Sequence, residues 1–204
     1  PQERDEIYQV LEPDDRQSGW RNRTYLAKYD LASGIMQPLT FGYRNIWSSD
    51  ISADGKKMLF MESHTRLEKR PTTLYSLYMM DMDTMQVDTL VENDGFLNSA
   101  RFSPCGSLIV ISGSPEALEG IGKNVKEGQT PSMYDYQLYL MDLESKKIRA
   151  VTRDFNPNVG SILWSRNDNQ IYFTAEYKDM INLFRLNPAS GKISRIKTQE
   201  DLVK

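Results

Sequence analysis

Leu77-Tyr78-Met79-Met80-Asp81-Met82-Asp83-Thr84 is the stretch on which the fold turns. It reads as a short strand closed by an aspartate, with a hydroxyl residue three positions further on. Val87 to Val91 then reads as a returning strand. The same skeleton recurs along the chain. Asp30, Asp81, Asp142 and Asn187 each lie four residues after a leucine: Leu26, Leu77, Leu138 and Leu183. Ser33, Thr84, Ser145 and Ser190 follow three residues later, and Leu39, Leu90, Val151 and Ile196 nine residues later. A pattern repeated at fixed offsets is the mark of one structural unit stacked several times.

A second motif interleaves with the first. Ser52, Ser103 and Ser165 follow Ile51, Phe102 and Trp164. Gly55 and Gly106 come three residues after their serines, and Asn169 occupies a similar turn in the third copy. Each turn precedes an apolar run: Met58-Leu59-Phe60, Ile109-Val110-Ile111 and Ile171-Tyr172-Phe173. Apolar residues at successive positions fit strands covered on both faces. Successive units are about 45 to 60 residues apart, in the range of four-stranded propeller blades.

The expected fold is therefore all-β: a partial β-propeller of four-stranded antiparallel blades, three full and one incomplete. The blade units are about 1–44 (partial), 45–96, 97–157 and 158–204. Ile7 to Leu11 is the expected second strand of the partial blade, and Tyr25 to Asp30 its third. A larger ring is expected to continue beyond both ends. Within the hairpins, Gly34 and Gly191 supply the left-handed residue a short turn needs, while Met85 and Lys146 replace it in the middle copies. Those two turns are expected to be strained or to take another geometry. The connection between second and third strands varies, at about 16, 26 and 9 residues in copies two to four. These loops should share one face, and insertions on one face often mark a binding side.

Composition narrows the function classes. The 204 residues carry 26% charged and 39% apolar side chains, ordinary for a globular protein. A net charge of -3 offers no basic field, which argues against nucleic acid as a partner. No apolar run approaches the roughly 20 residues of a membrane-spanning helix, so no membrane is expected. Cys105 is the only cysteine and allows no internal disulfide. The chain contains no G-x-S-x-G elbow, and its single histidine, His64, sits in a polar stretch. No nucleophile–base pair is on offer, so no catalytic residue is assigned and no hydrolysis is expected from this chain alone. No cofactor is assigned. Asp81-Met82-Asp83 lacks the oxygen-ligand spacing of a calcium loop, so the aspartate is read as closing its turn and no metal is assigned. Gly120-Ile121-Gly122-Lys123 lacks the full spacing of a phosphate loop.

Ser52-Ala53-Asp54-Gly55, Ser103-Pro104-Cys105-Gly106, Trp164-Ser165 and the four hairpins resemble the repeats of TolB-like propellers. They also resemble the propellers of the prolyl oligopeptidase group of serine peptidases. Val151-Thr152-Arg153-Asp154-Phe155, with Ile171 to Glu176, brings the likeness nearest to dipeptidyl-peptidase-IV-like enzymes. The resemblance implies a non-catalytic propeller portion that gates or positions peptide substrates for an α/β-hydrolase domain. The alternative is a stand-alone TolB-like interaction propeller. The implied partners are a peptide substrate and the hydrolase domain, and the implied compartment is the periplasm or the exterior; separately, the uncovered blade edges of an opened ring are expected to invite self-association. Dipeptidyl-peptidase-IV-like enzymes hold the substrate's free amino end with paired propeller glutamates. Glu116 and Glu119, in the insertion Ser114 to Met133, are the residues to which that role would fall, through a short helical turn with both on one face. The adjacent Glu-Glu pair of that family is absent, and the plainer reading of the insertion is a solvated loop or an interface.

Overall fold

The computed structural model describes residues 23–42, 44–66, 68–177 and 179–197. The expected strand over Ile7 to Leu11, and Trp20, lie outside them. Fourteen strands are found among the described residues. β1 (Ala27–Tyr29) and β2 (Met36–Pro38) form a hairpin. The first four-stranded sheet contains β3 (Asn45–Ile51), β4 (Lys57–Thr65), β5 (Thr73–Asp81) and β6 (Val87–Asp94). The second contains β7 (Leu97–Phe102), β8 (Leu108–Gly113), β9 (Gln137–Asp142) and β10 (Ile148–Ala150). The third contains β11 (Asn158–Trp164), β12 (Ile171–Tyr177), β13 (Met180–Leu186) and β14 (Ile193–Arg195). Strand order follows chain order in every sheet, and every pair is antiparallel. This is the expected all-β architecture, a partial propeller.

The middle sheet shows why the blades stack. Successive side chains on a strand point to opposite faces. Ile109 and Ile111 on β8, with Tyr139 and Met141 on β9, join a core with Leu59, Met61 and Leu77 of the first sheet. Val110, Leu138 and Leu140, one residue out of step, join a core with Ile171, Phe173 and Leu186 of the third. Each such side chain contributes about 2 kcal/mol by leaving water. Phe155 adds edge-on ring contacts to Phe173 and Phe184 in the second core.

Inner strands also bond across blades. Ser49 Oγ donates to the Ala100 carbonyl and accepts from its N–H, both at 2.9 Å. Asp50 Oδ2 accepts the Phe102 N–H at 2.8 Å. Asn158 Oδ1 accepts the Tyr136 N–H at 2.8 Å, joining the third sheet to the start of β9.

The hairpin motif has one mechanism in all four copies. Asp81 Oδ1 accepts the N–H groups of Asp83 and Thr84 and the Thr84 hydroxyl, at 3.0, 2.7 and 2.9 Å. Asp30, Asp142 and Asn187 repeat the clasp on Ser33, Ser145 and Ser190. The following residue is left-handed each time: Gly34 (φ 72°), Met85 (62°), Lys146 (58°) and Gly191 (72°). The middle copies thus keep the geometry and carry the strain. In the second motif, the Ser52 and Ser103 hydroxyls accept the N–H groups of Lys57 and Leu108, five residues on. Asn169 (φ 54°) closes a turn one residue longer, and its Oδ1 accepts the Trp164 indole N–H at 2.9 Å.

Two outcomes follow. A Cβ on Gly191 meets nothing within 4 Å, so Gly191→Ala isolates the backbone cost and should lower unfolding free energy by about 1 kcal/mol. Lys146→Gly should raise it by up to a similar amount, since the exposed ion pair to Asp88 that it removes is worth little. Urea titration measures both.

Acid titration gives a third. The Ser33, Thr84 and Ser145 hydrogen bonds hold the Asp30, Asp81 and Asp142 carboxyls below their ordinary 3.8. A pKa lowered on folding stabilises above the unfolded value and ceases to as pH falls through the folded one. Asn187 has no such dependence. Replacing the three aspartates by asparagine should therefore make Tm fall less steeply between about pH 5 and about pH 2.

Candidate functional site

The β4–β5, β6–β7 and β8–β9 connections leave the same edge of the sheets. Two of the variable loops are shorter than expected, because the strands run further. Glu62-Ser63-His64-Thr65 continues β4, and Thr73 to Ser76 begins β5, so that connection spans only 66–72. The loop between β12 and β13 shrinks to 178–179. The insertion between β8 and β9 is the one long loop of the three.

That insertion is not simply a solvated loop. Ala117 and Leu118 belong to the core between the first two sheets, at 0% and 7% exposure. Asp94, the last residue of β6, is the clamp. Its Oδ1 accepts the Phe96 N–H at 2.7 Å and its Oδ2 the Leu118 N–H at 2.6 Å. The Ser114 N–H donates to the Phe96 carbonyl at 2.9 Å, and the buried Tyr139 hydroxyl donates to the Ser114 carbonyl at 2.7 Å. Burial, then the charge of Asp94, pushes the Tyr139 phenol upward, so it stays a donor. Gly122 lies against Tyr139 and Gln137: a Cβ there would come within 2.2 and 2.4 Å of their oxygens. The loop then reaches the β10–β11 connection, where Asn124 donates to Asp154 Oδ1 at 3.1 Å and Arg153 Nε to the Lys123 carbonyl at 3.0 Å.

A cleft of about 640 Å³ opens beneath it, between the outer strands β6 and β10. Its wall carries the carboxylates Glu92, Asp94, Glu116 and Glu119 and the apolar Leu90 and Phe96. The two glutamates assigned from sequence thus line one cavity, but not through a helical turn. Ala117–Gly120 (α1) is a single distorted turn in which Leu118 (φ 55°) and Glu119 (φ 62°) are left-handed. Glu116 Oε1 lies 3.4 Å from Lys123 Nζ, while Glu119 is exposed. Arg66 and Lys146 add positive charge to the wall. The arrangement is suited to a cationic group beside an apolar one. Gly120 to Lys123 makes no phosphate loop, because Gly122 is packed against Tyr139 and Lys123 is turned to Glu116.

Sequence reading missed Asp94. Its local signal, the turn Asn93-Asp94-Gly95, was present, but its second partner is 24 positions away. Among the aromatics, Tyr139 is fully buried, Trp164 is buried, and Trp47 packs edge-on against Tyr75. Tyr134 is 86% exposed on the insertion.

No protein-family model matches the chain, and no curated protein matches it. Solved structures do. TolB from Acinetobacter baumannii superposes with a TM-score of 0.61 at 16% identity, covering 87% of this chain and 38% of that one. Oligogalacturonate lyase from Vibrio parahaemolyticus gives 0.62 at 10% identity, covering 84% and 47%. Puromycin hydrolase gives 0.60 at 16% identity, covering 88% and 28%. The chain spans less than half the length of each of these three. At such identities the likeness is one of fold: a partial β-propeller of TolB-like blades.

Removing the clamp should free the insertion. Asp94→Ala leaves two backbone N–H groups unpaired, at a cost of about 1–3 kcal/mol. Gly122→Ala forces its backing apart at a similar cost. In both variants, limited proteolysis should cut within 115–136 several-fold faster than in wild type.

Proposed function

We propose that this chain is a non-catalytic propeller segment of a dipeptidyl-peptidase-IV-like serine peptidase. In this reading it gates access to an α/β-hydrolase domain and positions peptides over it. The observation that carries it is the clamped insertion, which presents Glu116 and Glu119 on one cleft. Carboxylates beside apolar side chains suit the free amino end of a peptide and its first residue. The resemblance of Val151 to Phe155 and Ile171 to Glu176 to that enzyme group supports the same reading, as does the fold shared with puromycin hydrolase. The compartment that goes with it is the periplasm or the exterior.

A second reading is a TolB-like propeller that binds proteins and serves no enzyme. The superposition on TolB favours it equally. The coding region around this segment separates the two: an α/β-hydrolase with a G-x-S-x-G elbow selects the peptidase, and its absence selects the scaffold. In the peptidase, Glu116→Gln with Glu119→Gln should lower kcat/KM for a free-amino dipeptide substrate by about tenfold or more. Cleavage of the N-acetylated analogue should change little. Equal kinetics for both substrates in the variant and wild type would remove the glutamates from the site.

A further inference from the structure

The inner edge of the sheets carries chemistry opposite in sign to the outer cleft. β3, β7 and β11 are the first strands of their sheets and pack beside one another. Each has a register shift against its neighbour: between Ser48 and Asp50, between Leu97 and Ser99, and between Val159 and Ile162. A bulge re-aims side chains. Ser48, Ser99 and Ser161 occupy one equivalent position, four residues before the turn serines Ser52, Ser103 and Ser165.

Two adjoining hollows lie on this edge. One, of about 460 Å³, is lined by Asn98, Ser99, Arg101, Gly160 and Ser161. The other, of about 200 Å³, is lined by Arg101 and Arg166 together with Asp50 and Ser103. Arg101 belongs to both. Both arginines are exposed, and among the described residues neither guanidinium has a hydrogen-bond or ion-pair partner. Asp50 is the one carboxylate on either wall among the described residues, and its Oδ2 already accepts the Phe102 N–H. The Thr174 hydroxyl accepts the Ser161 N–H at 2.9 Å, so it holds the Ser161 backbone at the rim.

We infer that the inner edge between β7 and β11 is a binding site for a carboxylate-bearing ligand, held by Arg101 and Arg166. A guanidinium offers a planar pair of donors that matches the two oxygens of a carboxylate. The hydroxyls of Ser99 and Ser161 and the amide of Asn98 supply further donors around it. Two arginines on a chain of net charge -3 give local selection for an anion without the extended basic field a nucleic acid requires. The site stands whether the parent protein is a peptidase or a scaffold, because it shares no residue with the outer cleft.

The test is a fluorescence-anisotropy titration at low salt with fluorescein-labelled tetraglutamate carrying an amidated C-terminus. Arg101→Gln and Arg166→Gln should each weaken binding by about tenfold or more. Arg195→Gln, on β14, should stay within about twofold. Thermal melts confirm that each variant is folded; both arginines are exposed, so melting should not change. Competition by N-acetyl-tetraalanine with a free C-terminus, and not by its amide, would assign the ligand group to a peptide terminus. Absence of competition would assign it to side-chain carboxylates. No binding to wild type, or unaltered affinity in the double variant, would overturn the inference.

Discussion

Two-sided burial of the β8–β9 pair is the constraint on which the molecule depends. Val110 and Ile111 are neighbours in sequence, yet they enter different cores. A single sheet with one wet face cannot do this, because alternation would expose half of those residues. Leu138, Tyr139, Leu140 and Met141 repeat the division on the next strand. The middle sheet is therefore stable only with a sheet on either side, and stacking is a consequence of its apolar run. The β12–β13 pair shows the contrast. Ile171, Phe173 and Ala175 are buried, whereas Tyr172, Thr174 and Ile181 are not, so that sheet has one packed face among the described residues.

Stacking alone does not set how the sheets are arranged; the inner strands do. Ser49, Asp50 and Asn158 bond from one blade to the next. The Ser49 and Asp50 bonds draw β3 to β7, and the Asn158 bond ties β11 to the start of β9, while the fourth strands, β6 and β10, stay apart around a cleft. The result is a fan. Its narrow edge is built from short polar residues that let backbones approach, and its wide edge has room for an inserted loop. The outer cleft and the two inner hollows are all products of this one geometry.

Much of the fold was legible because its signals are local. A carboxylate or amide that accepts N–H groups two and three residues ahead closes a hairpin without help from distant sequence, so the Asp/Asn and Ser/Thr spacing marked every fourth-strand turn. The double apolar runs marked the central strands for an equally simple reason. Strand ends were misjudged where polarity and structure part company. Ser63-His64-Thr65 reads as loop, yet it continues β4 because β5 pairs with it residue for residue. The candidate site was legible only in its inventory. Glu116 and Glu119 were visible, but the clamp that fixes their backbone comes from Asp94 in the preceding blade. Ser48, Ser99 and Ser161 share a spacing that could have been read, but their meaning rests on the strands being innermost.

The distribution of charge follows from the same division of labour. At the outer cleft, Lys123 already faces Glu116, and Arg66 and Lys146 stand on the same wall as the carboxylates. Part of the acidity there is answered within the protein, which leaves exposed Glu92 and Glu119 as the least committed groups. At the inner edge the carboxylate is the committed partner: Asp50 is bound to backbone, and Arg101 and Arg166 are not answered by it. An unpaired guanidinium at a surface costs little, since water solvates it, so the fold itself does not require these arginines. Residues that packing does not require, placed together on an edge that packing does require, are where a ligand has most to gain.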